Sequence, residues 1–192
     1  MTAFRNTDLA LTLKAAPFAI RAEKASDLVA RETLLDACFG QNRHLRTCQR
    51  LRDGRAPAEG LAFSAMAEGH LVGTLRLWHV SAGGIPALML GPLAVDSSSR
   101  KFGVGTALMD HALAAATARG HRAVILLGDA PYYTRFGFSA ERVAELSLPG
   151  PFERDRLLGL ELRPAALDGA GGMIVATGPA LSARKALRAR AA

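Results

Sequence analysis

Gly103 and Gly105 follow Arg100 and Lys101 in "RKFGVG", where an apolar strand-like run gives way to an alanine-rich helical run. Glycine weakens a helix, so two of them at its start call for a reason. A helix start leaves about four backbone N–H groups without partners and carries a partial positive charge. Bare glycines let an anion come close to that backbone, where a Cβ would obstruct it. Arg100, Lys101, Phe102, Gly103, Val104, Gly105 and Thr106 therefore form a segment suited to phosphate oxygens. A Walker loop is excluded, because no GxxxxGK run followed by Ser or Thr is present. A dinucleotide fingerprint fails at its third position, which is Leu108, and lacks an acidic ribose partner further on. The pattern [Q/R]xxGxG/A is met at Arg100, Gly103 and Gly105.

The elements that must hold this loop follow from apolar period and breaker residues. Residues 18–22 read as a first strand, and Ser26–Asp27 as the N-cap of a helix that buries Leu28, Leu35, Cys38 and Phe39 and ends at Gly40. A shorter basic helix is expected near 42–52, then a loop at 53–60. Residues 61–80 read as a hairpin turning at Glu68–Gly69, and 86–95 as one nearly continuous, buried central strand. The helix after the glycines spans 103–119, with Val104, Leu108, Ala112 and Ala115 on one face. A buried strand follows at 123–127, and then a short helical turn in "YYTRFGF" leading into a last core strand. Leucines alternate at 158, 160 and 162, which predicts an added strand beyond the core.

With 192 residues, 49% of them apolar, the chain is sized for one packed domain. No apolar run reaches the roughly 18 residues of a membrane span, and the first 20 residues lack a signal-peptide pattern. Cys38 and Cys48 fit neither a disulfide framework nor a zinc site, so a reduced, cytoplasmic location without metal is expected. The net charge is +7, but Arg184, Lys185, Arg188 and Arg190 crowd the last residues; without them 20 basic residues face 17 acidic ones. A second basic cluster, Arg43 to Arg55, lacks interleaved aromatics, which disfavours nucleic acid and leaves anion steering or a solvated face.

The [Q/R]xxGxG/A loop, the order of elements from residue 17 to 139, and Tyr133 four residues before Gly137–Phe138 resemble the GNAT superfamily of acyl-CoA N-acyltransferases. "LGPLAV", "LLGDAPYYTRFGF" and "LPGPF…LELRPAALDGAGG" resemble its YhbS-like branch of predicted acetyltransferases. The resemblance implies an α/β (α+β) fold: a mixed, mostly antiparallel central sheet flanked by helices, with a C-terminal β extension. It divides the chain into an arm (1–16), a catalytic core (17–139), an extension packing on the core (140–180) and a basic tail (181–192). It also implies acetyl-CoA as donor, its pyrophosphate on the amides of Lys101–Thr106 and its pantetheine arm along Leu93, Ala94 and Val95, one of whose amides would stabilise the oxyanion. Tyr133 would protonate the leaving thiolate, and Asp129, in the "GD" of the branch motif, is the candidate base. His79 is a second, weaker candidate for that role, and the pantetheine-contacting Asn of many members is absent.

Two functions stay open at this point. One is direct transfer of an acetyl group to a primary amine of a small molecule, a protein or an RNA. The other is an acyl-CoA-binding sensor or partner-binding module without catalysis. The arginines at 43–55 suit an acceptor with a carboxylate or phosphate beside its amine, and a monomer or homodimer is expected.

Overall fold

In the computed structural model the described residues are 17–181; the arm at 1–16 and the tail from 182 onward lie outside them. The strands are β1 (Ala19–Ala22), β2 (Ala62–Ala67), β3 (His70–Ala82), β4 (Ile85–Leu90), β5 (Ala94–Val95), β6 (Ala123–Leu127), β7 (Leu146–Ser147), β8 (Leu157–Glu161) and β9 (Gly172–Ala176). The helices are α1 (Leu28–Phe39), α2 (Val104–Ala118) and the single turn α3 (Ala130–Tyr133). The main path of the sheet is β1-β2-β3-β4-β6-β8, with β5 and β9 also paired to β3. Within the path, neighbours are antiparallel except β4 and β6.

Strand alternation divides the core in two. On one face Phe63, Leu75, Leu77, Leu88, Val124 and Leu126 pack against Val104, Leu108 and Ala112 of α2. On the other, Trp78, Val80, Met89 and Ile125 meet Leu51, Leu146, Leu148 and Leu167, which brings the C-terminal residues onto the sheet. Helix α1 lies against β3 and β5 through Leu34, Leu35 and Ala94.

Three sequence expectations change. The run 86–95 is not one strand. Gly91 takes φ 121°, and Pro92 has no N–H to give a ladder, so the chain breaks between β4 and β5. After α3 there is no last core strand; only an isolated bridge, Ser139 to Gly159, joins that stretch to β8. The basic helix near 42–52 is two 3₁₀ segments, Gln41–Leu45 and Thr47–Leu51. The hairpin, the 123–127 strand and the alternating leucines of β8 are found as read.

Helix α1 also buries Arg31, which is only 4% exposed. Buried charge is expensive unless paired. Here the pairing extends into a chain of alternating sign. Arg76 of β3 donates Nε to Glu23 at 2.7 Å, and Glu23 accepts from Arg31 at 2.7 Å. Arg31 reaches Glu32, and Arg43 then donates to Glu32 at 2.5 Å and to Asp36 at 2.7 Å. Beside it Asp27 accepts from Arg21, from Ser64 and from the Lys24 amide, and the Arg21 hydrogen bonds hold its carboxyl far below the usual range.

Candidate active site

The glycine segment lies at the junction that the sequence implied. A 3₁₀ turn, Ser97–Phe102, is capped by Asp96, whose carboxylate accepts from the Ser98 amide at 2.9 Å. Gly103 then takes φ 78°, a left-handed conformation that costs glycine little, and α2 starts at Val104. The amides of Val104, Gly105 and Thr106 form the first turn and have no carbonyl within the helix to bond. Above Gly105 the space is narrow: an added Cβ would lie 2.8 Å from the Tyr132 hydroxyl and 3.6 Å from Val95. Val104 itself is buried in the core and Phe102 is half exposed, so their side chains point away from the opening and only their backbone belongs to the loop.

A cleft of about 1160 Å³ leads from this loop between the strands. Its origin is the parting of two neighbours. Strands β4 and β6 pair only at Leu88–Val124 and Met89–Ile125. Past that point the chain of β4 turns through Gly91–Pro92 toward β3, while β6 continues alongside β8. Leu90 to Val95 then line one wall and Leu126 to Asp129 the other. Trp78 fixes the turn by donating its indole N–H to the Gly91 carbonyl at 2.9 Å.

The Asp96 amide bonds back to Val72 at 2.9 Å, so by strand alternation the backbone groups of Leu93 and Val95 face the cleft. The Val95 carbonyl accepts there from Cys38 at 3.5 Å and Arg100 at 3.4 Å. Ala94 pairs with Thr74 and is buried against α1.

Both tyrosines of α3 reach the cleft. The Tyr132 ring carries the Arg135 guanidinium at 4.1 Å, and Arg135 donates to Thr106 at 3.0 Å. The Tyr133 ring meets Tyr132 edge-on with centroids 4.9 Å apart. Burial pushes its phenol up to about 12, with Tyr132 and Asp129 adding and Arg156 opposing. The hydroxyl therefore keeps its proton across the working pH range.

Gly128 leaves room for that ring. An added Cβ would stand 2.3 Å from Cε2 and 3.0 Å from Cδ2 of Tyr133, so the ring would have to move. Gly128→Ala is expected to lower turnover by about tenfold or more, since misplacement by about an ångström can cost up to 10². The melting temperature should fall by several degrees at most, since overpacking a packed site costs about 1–3 kcal/mol. Unchanged kcat in a folded variant would show that the ring's position does not matter to the reaction.

Asp129 stands at the cleft wall with its carboxylate 78% exposed, 3.0 Å from Arg156. Arg156 also faces Glu153 at 3.6 Å, and neither residue gave a local signal in the sequence. They arrive through the segment 151–156, which closes one side of the cleft after Thr47 bonds to Pro151 and Arg50 to Pro149. Arg135 was legible in principle, as the cation inside the tyrosine motif. His79 is not part of the cleft; it pairs with the His121 ring at 5.4 Å. No helix among the described residues is long and apolar enough to cross a membrane, and no group of three or more His, Cys, Asp or Glu there could hold a metal ion.

The family described as Acetyltransferase (GNAT) family matches residues 28–138, more than half of the chain. An "Uncharacterized N-acetyltransferase YhbS" of Escherichia coli K12 is 28% identical over 157 residues, covering 81% of this chain and 93% of the relative. The crystal structure of the Escherichia coli YhbS in complex with CoA superposes with a TM-score of 0.73 at 27% identity, over 85% of this chain and 91% of that one. A GNAT family acetyltransferase from Brucella melitensis, in complex with acetyl-CoA, gives 0.60 at 25% identity, over 78% and 90%. With its sheet parted beside a glycine-led helix, and with that match over its core, the chain belongs to the GNAT family of acetyltransferases.

Proposed function

We propose that the protein transfers an acetyl group from acetyl-CoA directly to a primary amine. The parted β4 and β6, opening onto the first turn of α2, carry this reading. The amides of Val104–Thr106, with Arg100, Lys101 and Arg135 around them, match the pyrophosphate and 3′-phosphate of CoA in charge and in access. The two relatives solved with CoA and acetyl-CoA support the same donor. When bound, acetyl-CoA supplies a thioester whose carbonyl carbon the amine attacks and whose C–S bond then breaks.

The residues divide the work. The Leu93 amide, turned into the cleft and farther from the glycine loop than Val95, is the donor to the developing oxyanion. Tyr133 gives its phenolic proton to the leaving thiolate. Asp129 draws in the acceptor ammonium and takes its proton through water. Cys38 and Cys48 both line the cleft, but Cys38 bonds to the Val95 carbonyl and burial raises the Cys48 thiol, so neither is set up as a thiolate nucleophile. That favours direct transfer.

One observation favours a second reading, a CoA-binding module without catalysis: the two carboxylates of the cleft, Asp129 and Glu153, both face Arg156. Thiol release with a panel of amines separates the readings. Turnover with any of them establishes the transferase; tight CoA binding with no amine-dependent release supports the module.

The pH dependence has a definite sign. The acceptor must lose a proton with a pKa near 10, and Tyr133 must keep one that it holds to about 12. At subsaturating acceptor and fixed ionic strength, turnover should climb from about pH 7 to 9 with no descending limb below about pH 10. A descending limb near pH 8 would contradict Tyr133 as the acid.

A further inference from the structure

The cleft is cationic on both faces of the sheet, and only one face has phosphates to meet. Arg100, Lys101 and Arg135 lie beside the start of α2. Arg43, Arg46 and Arg52 lie across the sheet, where Leu51 packs with Trp78, Met89 and Leu148. With its phosphates at the glycine loop, CoA threads the parted strands and brings only its thioester end to that second face. The second set of arginines therefore meets the acceptor.

Those three arginines are not equivalent. Arg43 is spent on Glu32 and Asp36. Arg46 lies at the exposed rim over the Phe39 ring, 5.1 Å from its centroid. Arg52 donates Nε to the Cys48 carbonyl at 3.1 Å, and among the described residues no carboxylate reaches it as an ion pair. The nearby Asp53 is engaged by Gln49 at 2.7 Å. Burial lowers the Arg52 guanidinium below its ordinary pKa; Arg43 and Arg46 push the same way, against Cys48 and Asp53. Arg52 is a half-buried guanidinium on the wall of a cleft whose two carboxylates, Asp129 and Glu153, both pair with Arg156, so its charge is unmet and an incoming anion relieves it. Its two Nη groups form the fork that carboxylate and phosphate fit.

We infer that Arg52, assisted by Arg46 at the rim, selects acceptors that carry a carboxylate or phosphate on the same molecule as the amine. This rests on the acetyl-transfer reading above and names its acceptor class. It disfavours lysine-rich protein segments, which would bring further positive charge to this face.

The test uses the full-length protein saturated with CoA, so that the glycine loop is already filled. Inorganic phosphate and acetate are titrated separately, with NMR as readout. At least one should bind to wild type, and Arg52→Met should weaken it roughly 10- to 100-fold, the range for a hydrogen-bonded charge pair. In turnover, phosphoethanolamine is compared with ethanolamine, and β-alanine with its amide. The pair with the larger kcat/KM ratio tells phosphate from carboxylate; Arg52→Met should bring that ratio near one with an unchanged KM for acetyl-CoA. Arg52→Lys, which keeps the charge and loses the fork, should retain part of the preference and serves if the Met variant does not fold. Absence of anion binding in the wild-type complex, or equal binding in Arg52→Met, overturns the assignment of Arg52. Failure of wild type to bind CoA overturns the transferase reading instead, so the two failures are distinct.

Discussion

Gly105→Glu is expected to weaken acetyl-CoA binding by about 10²-fold or more while leaving the protein folded. Gly105 is the second residue of α2, with ordinary helical backbone, so glutamate there improves helix propensity by roughly 0.5–1 kcal/mol and complements the positive helix end. The same side chain displaces the Tyr132 hydroxyl, which stands 2.8 Å from where the first added carbon would be. It also puts a carboxylate where the pyrophosphate would bind. Like charges brought together in an interface cost several kcal/mol, and each 1.4 kcal/mol is tenfold, so affinity should fall by about 10² or more. Calorimetric titration with acetyl-CoA and a melting curve together check it. Unchanged affinity would remove the donor site from this loop, and a collapsed melting temperature would make the substitution a folding defect.

The second large effect belongs to Tyr133. Tyr133→Phe keeps the ring edge on Gly128 and the contacts with Tyr132 and Phe138, so packing is preserved. What is lost is the proton donor. Turnover should fall by about 10² to 10⁴, the worth of general acid catalysis, with the Kd for acetyl-CoA nearly constant. Pre-steady-state thiol release with an active acceptor measures it directly. Wild-type rates would return Tyr133 to a packing role and direct attention to Tyr132, whose hydroxyl is at the mouth of the glycine loop.

What the sequence disclosed divides along physical lines. The glycine loop, the 123–127 strand and the hairpin at Glu68–Gly69 depend on local rules of breaker residues and apolar period, and they lie where those rules put them. The break at Gly91–Pro92 is hidden because 86–95 reads as nearly unbroken apolar sequence, although a proline inside a central strand is a signal against it. Arg31 has no local feature in the sequence that marks it as buried. Its burial depends on Glu23 and on the Glu23–Arg76 pair, a contact 53 residues apart that no local period reveals. Arg52 was one arginine among five until packing used up its neighbours. Arg156 and Glu153 enter the cleft only because the chain beyond Ser139 folds back over the sheet.

The parting of β4 and β6 bears on the folding energy as well as on access. Beyond Met89 and Ile125 the two strands no longer satisfy one another's main-chain groups, though each keeps its outer neighbour. The sheet is short of one partner along that gap, where Leu93 and Val95 are half-buried on the cleft wall and turn main-chain groups toward the opening. If acetyl-CoA binds as proposed, its pantetheine arm, with two amide bonds, would act there as a surrogate strand. Occupancy of the cleft would then close a ladder that the polypeptide leaves open. On the proposed function, the bound donor would be a late-arriving piece of the fold, and its concentration would set part of the protein's stability through mass action.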